Sequence, residues 1–175
     1  ELMGLFKQLP IDPQKDKMVF LGDYVDRGPN VKAVLDQLIS WQKHYPHWVF
    51  LQGNHESLLL DALNPKHPIY GDYYLWWNQG GRQTIYSYLP DGISDYEKAL
   101  AHPEDLIPKE HLNFLASLPR YFQDEKYIYV HGGLKPGKSV EETDPEDLIW
   151  IRDEFIDSDY DWGKLVIYGH TPDNH

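Results

Sequence analysis

Met18-Val19-Phe20-Leu21-Gly22-Asp23 carries four apolar residues straight into a glycine and a carboxylate, and the chain repeats this design three more times. Trp48 to Leu51 leads into Gly53-Asn54-His55-Glu56, Tyr127 to Val130 into His131-Gly132-Gly133, and Leu165 to Tyr168 into Gly169-His170-Thr171. Short runs rich in β-branched and aromatic residues, bounded by turn formers, are the pattern of buried strands in an α/β sheet. Such sheets gather ligands at the carboxyl ends of their strands. A single Asp or Asn at a strand end is commonly a turn former. Four of four ends with oxygen or imidazole donors point to a metal centre.

Helices are expected between these runs. Val31 to Tyr45 places Val34, Leu35, Leu38, Ile39 and Trp41 on or near one face, and Pro46 ends it. A second helix is expected from Glu56, carrying Leu58, Leu59, Leu60, Ala62 and Leu63. Glu1 to Leu9 has helical spacing, and a further helix is expected from Pro145 to Phe155. Pro65, Pro68, Pro90, Pro103, Pro108 and Pro119 break the stretch from Asn64 into short helices and loops, read as an insertion over the sheet face. The 175 residues are thus read as a single domain. No capping residue or initiator Met precedes Glu1 and no closing element follows His170, so the sequence reads as part of a longer chain.

Composition excludes several classes. Without cysteine there is no disulfide framework, thiolate zinc site or cysteine nucleophile. A net charge of −12 disfavours a nucleic-acid partner, because a phosphate backbone is gripped by clustered Lys and Arg. No apolar string approaches the length of a membrane span. An acidic protein that handles anions must supply positive charge locally, and bound divalent cations do so.

Two dications held close together need a carboxylate between them, and Asp23 suits that role. Asn54 offers a carbonyl oxygen, His131 and His170 imidazole nitrogens. This sulfur-free set suits Mn, Fe or Zn. Such a metal pair generates hydroxide at neutral pH and clamps an in-line phosphoryl displacement. Arg27 can grip a phosphate through its planar fork. His55, next to Asn54, can protonate a leaving oxygen, with Asp26 bonding its other ring nitrogen.

The blocks Gly22-Asp23-Tyr24-Val25-Asp26-Arg27-Gly28, Gly53-Asn54-His55-Glu56, His131-Gly132-Gly133 and Gly169-His170-Thr171 resemble the signature of the PPP-type serine/threonine protein phosphatases, within the calcineurin-like metallophosphoesterases. Trp77-Asn78-Gln79-Gly80-Gly81 and Leu148-Ile149-Trp150-Ile151-Arg152 resemble the bacterial and phage branch. The resemblance implies an α/β fold: a β-sandwich flanked by helices, with a dimetal site at the strand ends. It also implies that Asp23 bridges the metals, that Asn54, His131 and His170 complete one metal shell, and that Asp26 and His55 form the acid dyad. Arg27 and Arg152 would bind phosphate. The family's first block, Gly-Asp-x-His-Gly, is absent from the sequence, and with it two ligands of the other metal.

The function expected is hydrolysis of phosphate monoesters on phosphoproteins or small phosphoesters, in the cytoplasm, with two divalent ions, manganese first. A symmetrical dinucleoside tetraphosphate hydrolase is the close alternative, although members of that branch tend to lack the dyad carboxylate that Asp26 supplies. A catalytically dead binding module is the alternative of another class. The oligomeric state stays open.

Overall fold

A computed structural model describes residues 2–64, 70–89 and 105–172. Each apolar run forms a strand, but a short one: β1 is Val19–Phe20 and β2 Val49–Phe50. They pair in parallel, Val19 with Val49 and Phe20 with Phe50. Parallel neighbours need a crossover, and helix α2, Val31–His44, supplies it. It buries Val31, Leu35, Leu38, Ile39 and Trp41, close to the expected face. Helix α1 spans only Leu2–Phe6, and the Phe6 ring packs 4.7 Å from that of Trp41.

Helix α3, Asn54–Ala62, begins two residues before the expected Glu56. Asn54 and His55 therefore stand in its first turn and are buried, not in a preceding loop. Helix α4, Tyr70–Trp76, and helix α5, Arg82–Tyr88, are joined by the link Trp77–Gly81, which is kinked at Gly80 (φ 118°). Helix α6, Lys109–Ser117, completes this half. Trp76, Ile85, Phe114 and Leu115 share a core with Leu35, Leu38, Phe50 and Leu59. Pro65, Pro68, Pro90 and Pro103, part of the expected insertion, lie outside the described residues.

The second sheet orders its strands β3-β4-β5: Tyr121–Gln123, Tyr127–Val130 and Leu165–Ile167. β3 is antiparallel to β4, and β5 parallel to it. Strand β3 has no counterpart in the sequence reading. Asp124 makes the hairpin by accepting the Lys126 and Tyr127 N–H groups at 2.9 Å each. The strands are less buried than the apolar runs suggest: only β4 alternates cleanly, and the edge strand β5 leaves Leu165 62% exposed. A separate core of Ile128, Val130, Leu134, Leu148, Ile149 and Phe155 supports this sheet.

The helix expected from Pro145 to Phe155 is two helices, α7 at Asp147–Trp150 and α8 at Asp153–Ile156. The Leu148 carbonyl, which a continuous helix would give to the Arg152 N–H, instead accepts Gly132 N–H at 2.7 Å. The chain breaks at Ile151 and Arg152 as a result. Among the described residues no helix is long and apolar enough to cross a membrane.

Candidate metal centre

The two halves meet where the strands end. His131, just past β4, hands its Nδ1–H to the Leu21 carbonyl just past β1, at 2.7 Å. The His131 carbonyl in turn accepts the Gly169 N–H past β5, at 2.9 Å. Three strand ends are thus fastened to one another through the ring and the carbonyl of a single histidine.

Glu56 builds the floor beneath Asp23. Its wholly buried carboxylate accepts four backbone N–H groups: Asp23 at 2.9 Å, Tyr24 at 2.7 Å, Val25 at 3.2 Å and Gly53 at 2.7 Å. Burial first, and then the Asp23 charge, push its pKa up to about 7, while the N–H groups pull it down. The sequence reading left Glu56 without a role, although Glu three residues after the helix-capping Gly53 is a recognisable capping signal. Gly53 has to be glycine: a Cβ there would lie 2.5 Å from Asp23 Oδ1 and 2.7 Å from its nitrogen.

Around this floor four side chains converge. His131 Nε2 lies 3.0 Å from Asn54 Oδ1, 3.2 Å from His170 Nδ1 and 3.3 Å from Asp23 Oδ1. Asp23, His131 and His170 offer ligand atoms all within 4.8 Å of one another. Burial keeps both imidazoles neutral, lowering His131 and taking His170 to about 4, with neighbouring positive charge adding to the effect on His170. Because Nδ1–H of His131 goes to Leu21, its Nε2 is a bare lone pair. It faces a carboxylate oxygen, an amide oxygen and another ring nitrogen. Carboxylate, amide and imidazole ligand atoms converge in this way around a cation, and a backbone bond that fixes the tautomer of a ligating histidine is its usual support. The donor set fits a divalent ion held by Asp23, Asn54, His131 and His170.

Beside the cluster lies a second buried pair. His55 Nδ1 donates to Asp26 Oδ2 at 2.7 Å, with both side chains almost fully buried. Asp26 Oδ1 accepts Trp76 Nε1–H at 3.0 Å and the Thr84 hydroxyl at 2.7 Å. Neither Trp76 nor Thr84 figured in the sequence reading.

Of the two arginines expected to bind phosphate, both are exposed. Arg152 Nη1 donates to Thr171 Oγ1 at 3.2 Å, and its charge is felt by both His131 and His170. It stands at the helix break, not on a helix surface. Arg27 follows Asp26 with its backbone under the Trp77–Gly81 link, where a Cβ on Gly80 would come within 2.9 Å of Arg27 N. Among the described residues, the only non-glycine residues with positive φ are Asp23 (57°), Asp26 (64°), Arg27 (46°) and His170 (59°). Left-handed backbone of this kind costs roughly 1–2 kcal/mol per residue and persists where surroundings over-determine it. All four are residues singled out from the sequence. A cavity of about 420 Å³ opens beside Asp23, walled by Phe20, Leu21, Tyr24, Pro29, Val31 and Leu38. A larger hollow of about 640 Å³ beside Tyr121 and Phe122 lies apart from these groups.

Residues 1–174 match the family model of the calcineurin-like phosphoesterases. The chain is 22% identical over 180 residues to an asymmetrical bis(5'-nucleosyl)-tetraphosphatase, PrpE, of Bacillus thuringiensis (strain Al Hakam), covering 94% of this chain and 67% of that protein. The protein of the same name from Bacillus anthracis (strain CDC 684 / NRRL 3495) is 23% identical, with the same coverage. The match runs through every strand end that contributes to the cluster, so the chain belongs to the calcineurin-like phosphoesterase family.

Proposed function

We propose that this chain carries the phosphoryl-transfer site of a metal-dependent hydrolase whose substrate is a dinucleoside tetraphosphate, cleaved asymmetrically. The convergence of Asp23, Asn54, His131 and His170 on one point supports the hydrolytic chemistry. The substrate class rests on the names of the relatives, which favour a dinucleotide over the phosphoprotein expected from the sequence, and asymmetrical over symmetrical cleavage. When bound, divalent ions lower the pKa of water and offset charge on the phosphoryl oxygens. Manganese, iron and zinc all suit these donors.

The chain's own groups then have separate tasks. Asp23 would hold a divalent ion together with Asn54, His131 and His170, and by the family resemblance it would also be the ligand shared with a second ion. Arg152, and Arg27 beside the dyad, grip the non-bridging oxygens. His55 exchanges a proton with the leaving oxygen through Nε2, while Asp26 fixes the tautomer and steadies the imidazolium.

A second reading is favoured by that dyad. A nucleotide is a good leaving group and needs little protonation, whereas the alkoxide of serine or threonine needs a great deal. A buried acid built from His55 and Asp26 therefore supports phosphomonoester hydrolysis, on phosphoproteins or small phosphoesters. One experiment separates the readings: the chain with Mn(II) is given diadenosine tetraphosphate or a phosphoserine peptide, and products are resolved by anion exchange. ATP and AMP in equal amounts support the first reading. ADP alone contradicts asymmetrical cleavage, and phosphate from the peptide with the dinucleotide untouched supports the second.

A further inference from the structure

The kinked unit formed by α4, the Trp77–Gly81 link and α5 contributes nothing to the metal cluster, yet it presses on the loop that holds Asp26 and Arg27. Trp76, in the last turn of α4, is fully buried and points its indole N–H at Asp26 Oδ1. Thr84, also fully buried, sits one turn into α5 and bonds Asp26 twice. Its Oγ1 accepts the Asp26 backbone N–H at 2.8 Å and donates its own proton to Oδ1 at 2.7 Å. The first bond dictates the polarity of the second, because a hydroxyl that takes the N–H has its proton free to give.

The result is a carboxylate with a divided task. Oδ1 is occupied by two neutral donors, Trp76 and Thr84, leaving Oδ2 to face His55 Nδ1 at 2.7 Å. Two residues 50 and 58 positions away from Asp26 are brought to the same oxygen by the kink at Gly80 between them. Gly80, at φ 118°, breaks the helix and lets α5 leave at a new angle from α4. The kink is possible because Gly80 takes φ 118° and lies against Arg27, and because Gly81 leaves room for the Trp76 ring, which a Cβ would strike.

We propose that Trp76 and Thr84 are positioning residues for the acid dyad: by holding Oδ1, they aim Oδ2 at His55 and fix the left-handed backbone of Asp26. This rests on the reading of His55 and Asp26 as the proton-donating pair. A hydroxyl filling a hole in the core would need only shape, and valine supplies the same shape.

The test uses proton NMR of the whole chain, with circular dichroism to confirm folding. The His55 Nδ1–H proton, held by a carboxylate and shielded from water, gives a far-downfield resonance that Asp26→Asn removes. Thr84→Val and Trp76→Phe should broaden it at least severalfold through faster exchange, and Thr84→Ser, which restores the hydroxyl, should sharpen it again. In turnover with Mn(II), Thr84→Val should lower kcat for an alkyl phosphate at least tenfold, with KM and turnover of para-nitrophenyl phosphate little changed. An unaltered resonance in both Thr84→Val and Trp76→Phe overturns the positioning role, as does failure of Thr84→Ser to differ from Thr84→Val. If Asp26→Asn leaves the resonance in place, the dyad reading itself is wrong. Should Thr84→Val not fold, Trp76→Phe and Thr84→Ser decide the matter by the same resonance.

Discussion

Asp23 Oδ1 and His131 Nε2 face each other at 3.3 Å as two acceptors, because the proton on the histidine ring is spent on the Leu21 carbonyl. Burial keeps that ring neutral and so denies the pair a proton to share. The same ring nitrogen is 3.0 Å from the amide oxygen of Asn54 and 3.2 Å from His170 Nδ1. The lone pairs of Asp23, Asn54 and His131 gathered in this way repel one another until a cation joins them.

The close approach behind Asp23 makes Gly53 a sensitive position. A methyl group there collides with the Asp23 carboxylate and with Glu56, the nearest atoms being 2.5 Å and 2.9 Å away. Gly53→Ala is expected to lower stability by about 1–3 kcal/mol through overpacking and to weaken Mn(II) binding. Thermal melts with and without the ion check this, with Gly4→Ala as the control, since a Cβ there meets nothing within 4 Å.

Glu56 is the strongest stability prediction. Glutamine in its place keeps the shape but turns one acceptor into a donor facing backbone N–H groups. At least one N–H, from Asp23, Tyr24, Val25 or Gly53, then loses its partner inside the protein. At roughly 1–3 kcal/mol for each buried group left unpaired, Glu56→Gln should shift the urea midpoint down clearly. An unchanged midpoint would mean that the carboxylate is not the support of the loop.

His55→Asn should depress turnover of an alkyl phosphate by about 100- to 10,000-fold, the usual range for a general acid. For para-nitrophenyl phosphate, whose leaving group departs unaided, the loss should be far smaller. Equal losses on both substrates would remove His55 from proton transfer.

Arg27→Ala and Arg152→Ala should each weaken inhibition by inorganic phosphate, and Arg27→Lys should not restore it, because an ammonium lacks the planar fork. Inhibition constants at fixed Mn(II) give the answer directly. Phosphate inhibition insensitive to either change would leave the anion to the metal cluster alone.

Much of this was legible from strand ends. Asp23, Asn54, His131 and His170 announce themselves because each follows an apolar run with an oxygen or nitrogen donor, and the fold brings the four side chains together. The α/β arrangement follows from the same runs. Trp76 and Thr84 were illegible, since a buried tryptophan and threonine in helices look like core until the fold places them on Asp26. The three-residue β3 is too short to stand out behind Pro119, and pairing with β4 is what makes it a strand. The helix from Pro145 to Phe155 has helical periodicity throughout, and only the diversion of the Leu148 carbonyl to Gly132 divides it. The helix break and the contacts of Trp76 and Thr84 with Asp26 arise from partners far away in sequence, which no local pattern contains.

The central claim is that Asp23, Asn54, His131 and His170 together hold a divalent cation. Isothermal titration of the chain with Mn(II), followed by the loss of the free-ion electron paramagnetic signal, measures this without any assay of turnover. The account predicts a saturable site whose affinity falls at least tenfold in His131→Ala and in Asp23→Asn, with circular dichroism unchanged. Wild-type affinity in both folded variants would contradict it.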